Sequence, residues 1–90
     1  MELAPDTGEA YDTLGWILYL KGDYKSAERR LLKAVELLPR NPSVHFHLGM
    51  IQLSLGRKSD AISSIRRALQ YNPKFEGAAN AQQILKELGG

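Results

Sequence analysis

The sequence has 90 residues, of which 43% are hydrophobic and 24% charged, and its net charge is +2. This composition fits one small globular domain, argues against wholesale disorder, and leaves no room for two independent hydrophobic cores. Without cysteine, the chain has no disulfide framework and no thiolate chemistry, and we favour the cytoplasm for the segment as given. No apolar stretch is long enough to span a membrane, and no secretion signal precedes the first apolar run.

The sequence repeats itself with a period of 34 residues, so that segment 11–18 returns as segment 45–52. A fixed period of this length predicts a stack of helical units, each of which packs on its neighbours. A shift of 34 residues aligns identical small residues and prolines: Gly15 with Gly49, Gly22 with Gly56, Ala27 with Ala61, Ala34 with Ala68, and Pro39 with Pro73.

Proline recurs at the same spacing in Pro5, Pro39 and Pro73. Each should stop a helix, because proline forces the preceding residue out of the α region and cannot donate to the preceding turn. Residues 1–7 are therefore predicted to be the tail of a preceding repeat. We expect the sequence to be a segment of a longer array, with repeats at 8–41 and 42–75 and a capping helix within 76–90.

The first repeat is predicted to form two helices. Apolar residues at helical spacing place helix A over about residues 8–21, Gly22 ends it in the left-handed conformation, and Asp23 is the expected N-cap of the next helix. Helix B is predicted over about residues 24–38. Its inward residues are expected to be the apolar ones: Ala27, Leu31, Leu32, Ala34, Val35 and Leu38.

The second repeat follows the same plan. Asn41 is the predicted cap of a helix that runs to about residue 55, Pro42 occupies its first turn, and Gly56 ends it. A second helix is predicted over about residues 58–71, and a last one over about residues 74–88. Because the last helix has Gln83 at the position of Gly15 and Gly49, we expect it to be a polar cap of the stack.

A glycine inside a helix costs about 1 kcal/mol relative to alanine, so Gly15 and Gly49 need a structural reason. We expect close approach between helices A and B, with Gly15 against Ala27. Leu14, Leu18 and Leu31 are predicted to fill the rest of this contact.

This pattern resembles the tetratricopeptide repeat, a helix-turn-helix unit that stacks into an all-α superhelix of antiparallel helix pairs. The second repeat departs from it at His45 and Gln52, where an aromatic residue is usual. The residues that carry the resemblance are Tyr11, Leu14, Gly15, Leu18, Ala27, Leu31, Ala34 and Pro39, followed by Leu48, Gly49, Ala61, Ile65, Ala68 and Pro73. The fold alone does not identify a ligand.

The resemblance implies that the A helices line a concave groove that takes up a peptide or a helix. The residues that we predict to bind it are Asp12, Trp16, Tyr19, Phe46, His47, Met50 and Leu53. Further groove positions are Glu9, Thr13, Leu20, Ser43, Ser54, Asn80, Ala81 and Ile84. The alternative is that the aromatic side chains pack against each other and against neighbouring helices.

The resemblance also bears on the partner. Family members that bind acidic C-terminal tails of chaperones use Lys, Asn and Arg at groove positions that here hold Asp12, Trp16, His47, Gly77 and Ala81. An acidic tail is therefore disfavoured, and an apolar or basic segment is expected. Self-association is also predicted, through Leu3, Tyr11 and Leu18, which border the place where a preceding repeat would stack.

We predict a non-enzymatic protein-interaction module without cofactor or metal, since no catalytic constellation is evident and His45 and His47 point to different faces of one helix. One alternative is a structural spacer in a longer superhelix. A weaker one is nucleic-acid binding by bases of the B helices, although a solvated face with ion pairs such as Glu36 with Arg40 is favoured. These bases are Arg29, Arg30, Lys33, Arg57, Lys58, Arg66 and Arg67.

Overall fold

A computed structural model describes residues 7–89, which form five α-helices and no strand. The helices are α1 (Gly8–Leu20), α2 (Tyr24–Leu37), α3 (Pro42–Ser54), α4 (Lys58–Tyr71) and α5 (Ala78–Leu88). Each helix packs on the next one along the chain, most extensively within the pairs α1/α2 and α3/α4. The predicted all-α stack of helix pairs is confirmed. The predicted tail of a preceding repeat falls mostly on residues 1–6, which lie outside the described residues.

The helix boundaries follow from local chemistry. Asp23 Oδ1 accepts from the backbone N–H of Ser26 at 3.3 Å, and Asn41 Oδ1 accepts from that of Val44 at 3.2 Å. Pro42 lies in the first turn of α3. Gly22 and Gly56 have φ of 86° and 79°, a region that only glycine enters at little cost. The predicted caps at Asp23 and Asn41 and the predicted helix ends at Gly22 and Gly56 are confirmed.

Within each helix pair, the two helices are in close contact at a glycine. A Cβ atom on Gly15 would lie 3.2 Å from the carbonyl oxygen of Ala27, and one on Gly49 would lie 3.2 Å from that of Ala61. The predicted close approach of helices A and B is therefore confirmed in both repeats.

The core has two parts. The first lies among α2, α3 and α1, where Leu31, Val44 and Ile51 are fully buried. The second lies between α4 and α5 and contains Ile65 and Phe75. Leu38 and Val35 pack at the border of the first part, as predicted for inward positions of α2.

The last helix begins at Ala78, so the predicted start at about residue 74 is wrong. Asn72 Oδ1 accepts from the backbone N–H of Lys74 at 3.0 Å, which holds a turn instead of a helix. Within that turn the ring of Phe75 enters the second part of the core. Burying this ring stabilises the turn against continuation of the helix.

Two leucines that were predicted to be inward are exposed. Leu14 is 41% exposed, whereas Leu48, at the same position of the second repeat, is 5% exposed. The difference arises because α2 covers the face of α3 that contains Leu48, while no described helix covers that face of α1. Leu32 is 50% exposed because it borders the space between α2 and α4.

The exposed face of α1 is apolar. Ala10, Leu14 and Ile17 line a shallow depression there, together with Thr7 and Thr13. The prediction of which residues form this end of the stack was wrong in part, because Tyr11 and Leu18 pack against the core. Leu3 lies outside the described residues.

We expect this face to cause concentration-dependent self-association, because contiguous exposed apolar surface favours burial against another molecule. Light scattering after size exclusion should give a mass that rises with concentration for the native chain. The variant Leu14→Glu/Ile17→Glu should stay monomeric, whereas Leu32→Glu, a change at another exposed leucine, should behave as the native chain does. A native chain that is monomeric at every concentration would contradict the prediction.

Candidate functional site

A row of six rings crosses one side of the molecule from α2 over α1 and α3 to the turn before α5. In order along the row, the rings belong to Tyr24, Tyr19, Trp16, His47, Phe46 and Phe75. The tightest contacts are at its centre, where the Trp16 ring lies 4.6 Å from that of Tyr19 and 4.2 Å from that of His47, both stacked. We call these six residues the aromatic row.

A hydrogen bond fixes the centre of the row. His47 Nδ1 lies 2.7 Å from Asp12 Oδ1, and because the carboxylate accepts, the imidazole nitrogen donates. Both side chains are largely buried. The bond joins α1 to α3 and so holds the two repeats in one register, with the His47 ring against that of Trp16.

A pocket opens at the far end of the row, between α3 and the turn before α5. Its floor is formed by Phe46 and Phe75, and its volume is about 370 Å³. The rim is polar and consists of Ser43, His47, Glu76, Gly77 and Asn80. A Cβ atom on Gly77 would lie 2.8 Å from the Phe75 ring, so glycine is what allows the turn to lie this close to the rings. We call this pocket the row pocket.

His45 lies away from the row and is buried. Its Nε2 donates to the carbonyl oxygen of Pro39 at 2.7 Å, and its ring lies 5.2 Å from that of Tyr71. The two histidines thus occupy different faces of α3, as predicted. Among the described residues there is no group of three side chains able to hold a metal ion.

Comparison with known proteins identifies the family. A family model described as Tetratricopeptide repeat matches residues 18–88. The chain belongs to the tetratricopeptide repeat family. Its repeats generally mediate interactions between proteins, and the family is typically non-enzymatic.

Two relatives show the range of proteins in which such repeats occur. The chain is 36% identical over 77 residues to the TPR repeat-containing protein PA4667 of Pseudomonas aeruginosa, with 84% of the chain covered. It is 29% identical over 91 residues to human protein O-mannosyl-transferase TMTC3, with 99% covered. The chain spans only 13% of the first relative and 10% of the second.

The structure of this tetratricopeptide repeat chain brings together five of the seven predicted groove residues: Asp12, Trp16, Tyr19, Phe46 and His47. Met50 and Leu53 are half-buried on α3, one period after Trp16 and Tyr19. Among the further positions, Ser43 and Asn80 line the row pocket.

Several further groove positions lie elsewhere. Ala81 is fully buried and therefore cannot contact a ligand, and Ile84 packs at the second part of the core. Glu9 and Thr13 line the depression on the apolar face of α1 instead of the row. Leu20 is exposed at the end of α1.

Four residues of the site were not predicted as ligand contacts: Tyr24, Phe75, Glu76 and Gly77. Phe75, Glu76 and Gly77 were predicted to lie in the last helix. The signal that was available is the pair Asn72-Pro73 followed by Gly77, which is typical of a turn.

The ion pairs of the B helices also differ from one prediction. Within residues 7–89, Glu36 pairs with Lys33 of its own helix at 3.5 Å, not with Arg40. Arg57, just before α4, pairs with Glu28 of α2. None of the helices in this part of the chain is long and apolar enough to cross a membrane.

Proposed function

We propose that the chain is a protein-interaction module that binds a peptide or a helix of another protein along the aromatic row. The observation that carries this proposal is that the row's members on α1 and α3 contact one another and yet remain partly exposed to solvent. Partly exposed rings of fixed orientation offer contact area at a low cost in conformational entropy.

The rigidity of the row supports the proposal. The bond between His47 and Asp12 holds the centre of the row, and stacking holds Trp16 against His47. The alternative from the sequence, that the rings pack only for stability, accounts for these contacts. It does not require the row to end in an open pocket with a polar rim.

The charges near the row favour an apolar or basic segment. Phe46 and Phe75 form an apolar floor that fits one apolar side chain, and the carboxylate of Glu76 lies at its rim. Among residues 7–89, no lysine or arginine lines this pocket. We propose that the ligand places an apolar side chain in the row pocket and a basic side chain near Glu76.

The test is a comparison of partners captured by the native chain and by the variant Trp16→Ala/Met50→Ala. We expect the captured partner to bind the double variant at least tenfold more weakly, because a central aromatic side chain of an interface commonly contributes about 2 kcal/mol or more. Titration calorimetry with the purified partner measures this change. Circular dichroism checks that the variant keeps its helices.

Ile17→Ala is a matched control, since Ile17 is exposed on the same helix as Trp16 but lines the depression on the apolar face of α1. It should leave binding unchanged. If the native chain and the double variant bind the same proteins equally, the segment is a structural spacer and the proposal fails.

A further inference from the structure

A second cleft lies on the other side of α3, between α2 and α4. On its floor are His45, Leu48 and Gln52 of α3. These residues and the row residues Phe46 and His47 occupy opposite sides of α3, because successive residues of a helix are turned by about 100°. The cleft has a volume of about 390 Å³, and we call it the α2/α4 cleft.

The walls of the α2/α4 cleft differ in character. The α2 wall is apolar and consists of Leu32 and Val35. The α4 wall is polar and consists of Asp60, Ser63, Ser64 and Arg67. A ligand that fits both walls must itself be amphipathic.

Contacts at both ends fix the shape of the cleft. At one end, Arg57 pairs with Glu28 and joins the beginnings of the two walls. At the other end, the ring of Tyr71 lies against that of His45 on the floor. Between these ends, α2 and α4 pack mainly on α3, which leaves the cleft open.

Two features of the walls are not explained by the packing of the stack. Leu32 is half-exposed, and one period later its position is occupied by Arg66, so the repeat does not require an apolar side chain there. Arg67 is exposed, and within residues 7–89 no carboxylate pairs with it. The cleft therefore offers an apolar contact and an available cation on facing walls.

The surrounding charge favours an acidic ligand. Glu28 and Glu36 of α2 are already paired with Arg57 and Lys33. The cleft itself is lined by one base, Arg67, and one acid, Asp60, whereas the two helices that form its walls each carry more bases than acids. Such a surface attracts an acidic partner over some distance and orients it as it approaches.

We propose that the α2/α4 cleft binds an acidic amphipathic helix of a partner protein, separately from the ligand of the aromatic row. Its apolar ridge packs against Leu32 and Val35, and one of its carboxylates pairs with Arg67. Asp60 lies about two turns from Arg67 along α4, roughly 10 Å away. A basic residue of the partner helix near Asp60 would then set its direction in the cleft.

A helix fits this cleft better than a nucleic acid does. The apolar wall of Leu32 and Val35 has no counterpart in a phosphate backbone, and the carboxylate of Asp60 on the facing wall repels one. An extended peptide would leave its backbone groups without partners along the apolar wall, whereas a helix satisfies its own.

The probe for the test is a fluorescein-labelled peptide of roughly 18 residues, long enough to be helical in isolation. It has leucines at helical spacing and glutamates on both sides of them. A second peptide has lysines in place of the glutamates. Fluorescence anisotropy measures the binding of each to the native chain and to its variants, whose helicity is checked by circular dichroism.

We expect the glutamate peptide to bind the native chain and the lysine peptide to bind at least tenfold more weakly. Arg67→Glu should weaken binding of the glutamate peptide about tenfold, and Leu32→Glu should weaken it as much. Lys58→Glu is the matched control, because it makes the same change of charge on the same helix outside the cleft. It should change binding by less than about twofold.

Other results would overturn the inference. Equal losses from Arg67→Glu and Lys58→Glu would indicate attraction by the basic face as a whole. Displacement of the peptide by a single-stranded oligonucleotide, with the same dependence on Arg67, would indicate a polyanion site. Loss of binding in Trp16→Ala would place the peptide on the aromatic row, and absence of binding to the native chain would exclude the site.

Discussion

Replacing Ile51 with Ala should lower the free energy of unfolding by about 2–5 kcal/mol, because it leaves a cavity in a closely packed core. Ile51 is fully buried where α2 packs on α3. Ile17 lies one period earlier on α1, in the same position of its repeat, but it is 44% exposed. Ile17→Ala should therefore cost about 1 kcal/mol or less, since little apolar surface is returned to water and alanine favours the helix.

Urea unfolding followed by circular dichroism measures both changes. The fluorescence of Trp16, the sole tryptophan, reports on the contact between α1 and α3 in the same experiment. Because the two substitutions are chemically identical and repeat-related, their difference isolates the effect of a covering helix. Equal costs would mean that the Ile17 face of α1 is covered in solution.

The comparison of Ile17 with Ile51 also shows how far a repeat pattern predicts structure. The 34-residue period predicted the helix pairs and the close approach at Gly15 and Gly49, and the residue types of Asp23 and Asn41 predicted the helix caps. These features depend on residues within one repeat. Burial depends on the neighbouring repeat as well, so the same apolar residue is buried in one repeat and exposed in the other.

The candidate site was predictable only in part, for a similar reason. Trp16 and Phe46 stand out as large apolar residues that the A/B contact does not need. The bond between Asp12 and His47 joins residues 35 positions apart, and His47 matches Thr13 of the first repeat, so no repeated signal marks it. The turn at Phe75 has no counterpart one period earlier. The row pocket, which this turn helps to form, therefore could not be predicted from the repeat.

The second prediction concerns the glycine at the contact of α3 with α4. Gly49→Val should lower the free energy of unfolding by about 3 kcal/mol, near the upper end of the usual cost of overpacking. A Cβ atom there would lie 2.6 Å from Cγ1 of Ile65 and 3.2 Å from the carbonyl oxygen of Ala61. Ile65 is fully buried, and its Cγ1 is close to the branch point, so it cannot move aside as the tip of a long side chain can.

A double-mutant cycle separates this steric cause from the low helix propensity of valine. Ile65→Ala removes the Cγ1 atom, so Gly49→Val in that background should cost about 1–3 kcal/mol less than it does alone. Gly56→Val is the control, because it also costs stability through its φ of 79° but has no atom within 4 Å of the new Cβ. Its cost should be the same with Ile65 or Ala at position 65. If Gly49→Val were equally costly in both backgrounds, contact with Ile65 would not explain the glycine, and the carbonyl oxygen of Ala61 would be the remaining obstacle to a side chain at this position.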